Sequence, residues 1–171
     1  ATETHNTAFG FNAANQITTG ISNTLIGSRS GDALTDADFN VAVGFQALTT
    51  DTLGSNSTAI GREALNNQNF TTATDSFNTA VGYYAGLTVT TGIKNTFVGN
   101  LAGDGTDDAQ HCVAVGMEAL SANCGDNNIA IGTNAGIICT GSENVFVGHT
   151  AGDGVTTGTD NVCIGNNTDT Q

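Results

Sequence analysis

Short apolar segments recur along the chain at nearly constant spacing, and each ends on a glycine that we call the anchor. Alignment on this glycine gives successive spacings of 17, 17, 17, 21, 17, 17, 16, 16 and 17 residues. Such a period predicts a solenoid, in which each unit forms one coil and stacks on its neighbours. The ten anchors are Gly10, Gly27, Gly44, Gly61, Gly82, Gly99, Gly116, Gly132, Gly148 and Gly165.

Each segment has the alternating pattern of a short strand, but neither of its faces is polar. The residue before the anchor is always Phe, Ile or Val, and the residue three before the anchor is Thr, Val or Ile. Because side chains alternate along a strand, these two positions share one face. The position between them is mostly Ala, with Leu25, Phe97, Phe146 and Cys163 as the larger exceptions. We therefore expect one face to fill the coil and the other to meet neighbouring chains.

Two further columns predict how the coils are joined. Asn stands four residues before the anchor in eight of the ten units. Its side chains either form a hydrogen-bonded ladder from coil to coil or suit the turn that enters each strand. The anchor glycine predicts a backbone conformation that other residues avoid, or a close approach between coils.

The phrase N-[ST]-x-[AIV]-G-x-x-A, seen for example in NTAVGYYAG at 78–86, resembles the head repeat of YadA-like trimeric autotransporter adhesins. It also resembles repeats of phage tail fibres, and the resemblance extends from Asn6 to about Thr168. It implies a left-handed parallel β-roll with three chains side by side, although the period of about 17 residues is longer than that of the adhesins. We expect an all-β parallel solenoid of about ten coils over residues 1–171, a single domain that is a fragment of a longer fibre.

Composition narrows the classes of partner. Three Lys and Arg stand against sixteen Asp and Glu, which gives a formal charge of −13. Such a surface repels nucleic acid and anionic membranes. No apolar run of about 18 residues is present, so no membrane insertion is expected within this segment. The expected partners are further copies of the chain, as a homotrimer or an end-to-end fibre, and a cell-surface glycan or receptor.

The sequence does not predict an enzyme. The segment at 60–65, IGREAL, fits the hexapeptide of left-handed β-helix acyltransferases, but those proteins need three such hexapeptides per coil, and this chain has one. The sequence contains no nucleophile elbow, phosphate-binding loop or zinc-like Cys/His spacing.

Acidic turns raise the hypothesis of a calcium site. Hard cations prefer carboxylate oxygens on flexible turns. The alternative that we favour is a set of solvated turns that keep an acidic fibre soluble. The candidate ligands are Asp104, Asp107, Asp108, Asp153 and Asp160.

Four cysteines suggest one disulfide. Cys124 and Cys139 are 15 residues apart where the period is 16, which predicts positions on adjacent coils. Because coils lie about 4.8 Å apart, we expect a Cys124–Cys139 bridge and an oxidising, extracellular setting. Cys112 occupies the Asn column and Cys163 an apolar column, and we expect both to be small buried residues.

Two local features complete the sequence predictions. The fourth unit is longer than the others, and its extra residues fall between 66 and 77. We expect a loop there, a decoration in preference to a ligand contact. Thr residues share one register in the first half of the chain and give way to Val and Ile later, which raises a hypothesis of ice binding.

These observations together predict a structural and adhesive segment of an extracellular fibre, either a virion fibre or a cell-surface adhesin. Such a rod spaces or presents a surface that binds a host or substrate. One alternative is a self-assembling surface filament, and another is an ice- or calcium-binding solenoid.

Overall fold

A computed structural model describes residues 3–169 of the chain, and the outermost positions of the predicted domain, 1–2 and 170–171, lie outside this range. Ten three-residue strands, one from each repeat, pair in parallel and in sequence order as one sheet. The prediction of a parallel β-solenoid is confirmed, with about nine turns and a period close to 17 residues. The strands are β1 (Thr7–Phe9), β2 (Thr24–Ile26), β3 (Val41–Val43), β4 (Gly54–Ser55), β5 (Thr58–Ile60), β6 (Thr74–Asp75), β7 (Thr79–Val81), β8 (Thr96–Val98), β9 (Val113–Val115), β10 (Ile129–Ile131), β11 (Val145–Val147) and β12 (Val162–Ile164).

Equivalent positions of successive repeats lie directly beside one another. Strand β4 pairs only with β6, as a second, two-stranded sheet, and the other ten strands form the main sheet. Thr24 of β2 pairs with Val41 of β3, and the same register holds throughout the main sheet. The Thr24 N–H donates to the Asn40 carbonyl at 2.8 Å, and the Gly44 N–H donates to the Ile26 carbonyl at the same distance. Each sequence column is therefore a straight row of side chains along the solenoid.

In the main sheet the middle residue of every strand from β2 to β12 points into the coil and forms the core, whereas that of β1 is exposed. Alanine is the commonest residue there, and the larger exceptions Leu25, Phe97 and Phe146 are fully buried. A coil this thin has room for one large side chain between the strand and the facing corner, which lies four residues after the anchor. Leu stands at this corner in the coils of Ala42, Ala59 and Ala114, as in the pair Ala114 and Leu120. The coils of Ala80 and Ala130 have Gly86 and Gly136 there instead, and these glycines face the rings of Phe97 and Phe146 from the next coil.

Coils with a large strand residue use glycine at the facing corners instead. The ring of Phe97 lies between Gly86 and Gly103, and a Cβ placed on Gly86 would be only 2.9 Å from Phe97 Cδ2. Phe146 lies in the same way between Gly136 and Gly152. Volume is thus kept nearly constant along the core, as dense packing requires.

Both reasons expected for a glycine at every anchor are present: an unusual backbone conformation and a close approach between coils. Their φ angles run from +131° to +145°, a region that L side chains rarely adopt. A Cβ on Gly61 would also overlap the carbonyl oxygen of Gly82 in the next coil. The anchor column is therefore the line along which the backbones of adjacent coils approach most closely.

The Asn column forms a ladder. The Asn40 N–H donates to Asn23 Oδ1 at 2.9 Å, which links two coils, and Asn40 Nδ2 donates to the Gly54 carbonyl at 2.9 Å, across its own coil. The same pair of bonds recurs at Asn95, whose Oδ1 accepts from the Cys112 N–H at 2.8 Å. Of the two interpretations, the coil-to-coil ladder is the one that the structure contains. It fixes the register of the strands and hence the direction in which each side chain points.

Candidate functional site

The candidate site is the outward face of the main sheet, which the two flanking columns of each strand form. We call it the outward face, and it consists of the residues three before and one before each anchor. In the interior of the sheet the residues before the anchor stay partly exposed, for example Ile26 at 37%, Ile60 at 38% and Ile131 at 42%. Most strands therefore direct Ile or Val outward and an alanine into the coil, with Leu25, Phe97 and Phe146 as the large inward exceptions.

The outward face is long, narrow and apolar. Ten strands about 4.8 Å apart span roughly 43 Å, and three residues of strand are about 10 Å long, so the face covers on the order of 400 Å² in projection. A contiguous apolar patch of this size on a folded protein marks a site of interaction. Surface charges that would interrupt the patch are absent from both columns.

The outward face has two halves of different polarity. In the first half the column three before the anchor carries hydroxyl groups, and in the second half it is purely aliphatic. Its members are Thr7, Thr24, Val41, Thr58, Thr79 and Thr96, followed by Val113, Ile129, Val145 and Val162. The hydroxyl array that raised the ice-binding hypothesis is thus directed outward but is interrupted at Val41 and ends at Thr96.

A cluster of aromatic rings around Arg62 lies just beyond the anchor column. The Arg62 Cζ atom is 5.9 Å from the ring centre of Phe45 and 5.5 Å from that of Tyr83. Tyr83 stacks on Tyr84 with 3.9 Å between ring centres. The hydrogen bond from Arg62 Nε to Glu63, 3.0 Å long, raises the pKa of the arginine. This cluster places a cation and exposed rings on an otherwise acidic chain.

Comparison with known protein families, curated proteins and solved structures finds no match for this chain. The assignment of function therefore depends on the geometry of the chain itself. Residues 3–169 contain no helix with the length and apolar character that crossing a bilayer requires.

The longer fourth unit supplies a side-chain amide where the Asn ladder lacks one. Ser57 stands where other coils have Asn, and Gln68 from the longer unit donates to Ser57 Oγ at 2.8 Å. Gln68 Nε2 also donates to Asp51 Oδ2 at 2.6 Å, and Gln68 Oε1 accepts from Asn78 Nδ2 at 2.8 Å. The Asp51 carboxylate is fully buried and accepts further bonds from the Gly54 and Phe70 N–H groups.

Most of the predicted loop at 66–77 is therefore part of the fold. Gln68 and Phe70 are buried, and residues 74–75 form β6. The tip at 71–73 is exposed, as are residues 67, 75 and 77. The sequence offered one signal for this network, since the missing Asn and the extra residues fall in the same unit.

The predicted calcium ligands are dispersed over the turns. Asp104 accepts a hydrogen bond from the Ser121 hydroxyl, and Asp107 accepts one from Thr90, so both join adjacent coils. Burial raises the pKa of Asp104, against the opposing effect of the Ser121 hydroxyl. Asp108 and Asp160 are exposed, and Asp153 is half-buried. In the described part of the chain, no three His, Cys, Asp or Glu side chains are grouped so that they could hold a metal ion.

The structure does not join Cys124 and Cys139, and the bridge between them stays a prediction. Both residues are buried free thiols, and Cys124 Sγ lies 3.9 Å from the sulfur of Cys112. Cys139 Sγ instead accepts from Asn144 Nδ2 at 3.4 Å, on the next coil. The spacing argument placed Cys124 and Cys139 on adjacent coils but did not include the direction of the side chains. Cys124 points across its own coil, toward the Asn column.

The two neighbouring thiols affect each other. The hydrogen bond between them, with Cys124 as acceptor, lowers the pKa of Cys124 to about 7, although burial opposes this change. The same bond and burial raise the pKa of Cys112. Cys124 is thus the thiol of the pair that ionises first.

Proposed function

We propose that this chain is a structural and adhesive segment of an extracellular fibre, of the kind found in phage tail fibres and bacterial surface adhesins. Its copies associate side by side as a homotrimer through the outward face. The stiff rod then spaces or presents a binding surface, and its partner is a cell-surface glycan or receptor. A repeated surface on such a rod can bind many times over.

The observation that supports this proposal is the continuous, uncharged outward face. Contact of water with the Val and Ile side chains of these columns is unfavourable. A second copy offers a face of the same length, whose strands have the same spacing of about 4.8 Å. Side-by-side packing of equal rods would bury the face over its full length. A left-handed coil and a threefold arrangement are parts of the same proposal, supported by the resemblance of the repeat.

The test compares two isoleucines of nearly equal exposure. Ile131 is 42% exposed on the outward face, and Ile138 is 44% exposed in the turn region between β10 and β11. Light scattering coupled to size exclusion should give three times the chain mass of 17.2 kDa for the native chain. We expect Ile131→Lys to dissociate the assembly and Ile138→Lys to leave it intact, with circular dichroism showing that both variants fold.

Two results would contradict the proposal. One is a native chain that stays monomeric at all accessible concentrations. The other is an assembly that survives Ile131→Lys together with the equivalent change at Ile60.

A second candidate function is a filament built end to end, and the edges of the main sheet favour it. Val162 and Ile164 are 66% and 68% exposed, well above the equivalent residues inside the sheet, and Phe9 at the opposite edge is 75% exposed. The far side of β12 presents the Val162 N–H and the Ile164 carbonyl. The far side of β1 presents the complementary Asn6 carbonyl and Gly10 N–H, so a second copy could continue the pattern of hydrogen bonds.

Electron microscopy of the purified chain distinguishes the two candidates. Filaments much longer than one rod of roughly 43 Å would support end-to-end growth. Val162→Pro removes the N–H at the edge of β12, where proline is tolerated, and should abolish such filaments while leaving the side-by-side assembly. Particles of single-rod length in the native chain would contradict this second candidate.

A further inference from the structure

The seventh coil departs from the rest of the ladder at Cys112. This residue occupies the Asn column, and its backbone N–H still donates the ladder bond to Asn95 Oδ1 at 2.8 Å. Its side chain has no amide. Cys112 Sγ lies 3.3 Å from the Gly125 carbonyl, which corresponds to the Gly141 carbonyl that Asn128 bonds, and 3.9 Å from Cys124 Sγ. A thiol thus takes the place of the amide in this coil, and a second thiol lies beside it.

Cys124 approaches the same point from the opposite wall of the coil. It is 3% exposed, and its sulfur lies 3.5 Å from Thr106 Oγ1 in the preceding coil. The two cysteines are twelve positions apart in sequence, nearly the separation that an Asn side chain bridges elsewhere, such as the fourteen between Asn95 and Ala109. The pair is therefore placed where the other coils have their cross-coil hydrogen bond.

We propose that Cys112 and Cys124 form a disulfide that ties the two walls of the seventh coil together where a thiol replaces the Asn amide. The assignment does not depend on the proposed fibre function, because it follows from the position of the two thiols in one coil. It names a modification site that differs from the Cys124–Cys139 pairing predicted from spacing.

The local structure can accept the bond. The two sulfurs lie 3.9 Å apart and must approach to about 2.0 Å for the bond to form. Cys112 would then leave the Gly125 carbonyl. That carbonyl keeps a partner, since Asn128 Nδ2 donates to it at 2.7 Å. Formation of the disulfide therefore leaves this buried oxygen satisfied.

The reaction needs a small-molecule disulfide, such as oxidised glutathione, as the oxidant. Cys124, the more readily ionised thiol, attacks one sulfur of this disulfide as a thiolate and releases one thiol. Cys112 loses its proton to solvent, and its sulfur attacks Cys124 Sγ and releases the second thiol. The two protein thiols together give up two electrons and two protons, and one disulfide becomes two thiols.

The first test identifies the bond directly. The chain is incubated with oxidised glutathione, its remaining thiols are alkylated under denaturing conditions at low pH, and it is digested after Glu118 and before Asp126. These cuts place Cys112, Cys124 and Cys139 on separate peptides. We expect a linked pair carrying Cys112 and Cys124, with Cys139 alkylated. Linkage of Cys124 to Cys139, or alkylation of all four cysteines, would overturn the proposal.

The second test uses a variant that restores the ladder. Cys112→Asn gives the seventh coil the residue of the other coils, so it should fold, and it removes one partner of the bond. For the native chain, we expect oxidation to raise Tm by about 5–10 °C, as a short closed loop predicts. Cys112→Asn should show no such rise, and Cys139→Ser should keep it. A rise that persists in Cys112→Asn, or one that is lost in Cys139→Ser, would refute the assignment.

Discussion

Replacement of Phe97 by Ala should be among the most destabilising single changes in the core. The ring is fully buried between Gly86 and Gly103, which have no side chains to move into the space. The backbone cannot collapse there either, because the Gly103 N–H donates to the Ala119 carbonyl at 2.9 Å and so holds the spacing of the coils. Phe→Ala changes in cores cost about 3–5 kcal/mol, and we expect a loss near the upper end.

The neighbouring coils specify a compensating change at Gly103. Where the strand residue is Ala114, the corner is Leu120, whose φ of +49° is close to the +62° of Gly103. Leu at position 103 should therefore fill the cavity left by Phe97→Ala. Burial of the leucine returns about 3 kcal/mol, and the left-handed conformation costs about 1–2 kcal/mol. The double variant should thus be about 1–2 kcal/mol more stable than Phe97→Ala alone.

The same Gly103→Leu change in the native chain should be harmful. A Cβ at this position would overlap the ring of Phe97, so we expect a loss of about 3 kcal/mol from overpacking and backbone strain together. Urea denaturation followed by circular dichroism gives the four free energies of the double-mutant cycle. We expect a favourable coupling of at least about 2 kcal/mol.

The exposed Phe39 provides the matched control for the loss of a phenyl ring. It is 54% exposed, so Phe39→Ala should change the free energy of unfolding by less than about 1 kcal/mol. Additive effects of Phe97→Ala and Gly103→Leu would refute the idea that strand and corner residues share one fixed volume.

Two further predictions concern the ladder and the acidic turns. Asn95→Ala leaves the Cys112 N–H and the Ala109 carbonyl without their side-chain partner and should cost about 2–4 kcal/mol in urea denaturation, whereas Ala at the exposed Asn100 should be nearly neutral. Because burial raises the pKa of Asp104 in the folded chain, the stability that protonated Asp104 contributes is present below about pH 4 and is lost as the pH rises. Asp104→Asn should therefore raise Tm at pH 7 and leave it unchanged near pH 3; an equal rise for the exposed Asp108→Asn would point to net charge as the cause.

The solenoid could be predicted from the sequence because the repeat marks both the coil and the strand within it. The anchor glycines mark the line of closest backbone approach, and the alternation around them marks three-residue strands. The sequence did not decide which face is inside, because both are apolar. The deciding factor is the space inside a thin coil, where Ala opposite Leu120, or Phe97 opposite glycine, fills the available volume. This relation appears only when the strand residue and the corner residue are compared coil by coil.

The turns were harder to predict, since their backbone is set by closure of the coil. In residues 3–169 the structure has 24 non-glycine residues with positive φ, among them Phe39, Leu48 and Tyr84. Such bulky residues give no local signal for the left-handed region. Bonds between coils hold them in it, as when the Phe39 N–H donates to the Ile21 carbonyl at 3.1 Å. The direction of Cys124, and hence its true neighbour, depends on this turn geometry.

The two interruptions of the Asn column explain where the irregular features of the chain occur. Ser57 lacks an amide, and the longer fourth unit supplies Gln68 to bond Ser57, Asp51 and Asn78 in its place. Cys112 lacks an amide, and the turn of its own coil supplies Cys124. In both cases the replacement comes from the turn that the missing Asn would have bonded. A cross-coil connection is therefore required at every coil, and the insertion and the cysteine pair are local solutions to that requirement. The outward face continues without a charged residue past both of them, although its Thr column gives way to Val and Ile at the coil of Cys112. A continuous, uncharged face is the behaviour expected of a surface that must meet an equally regular partner along its whole length.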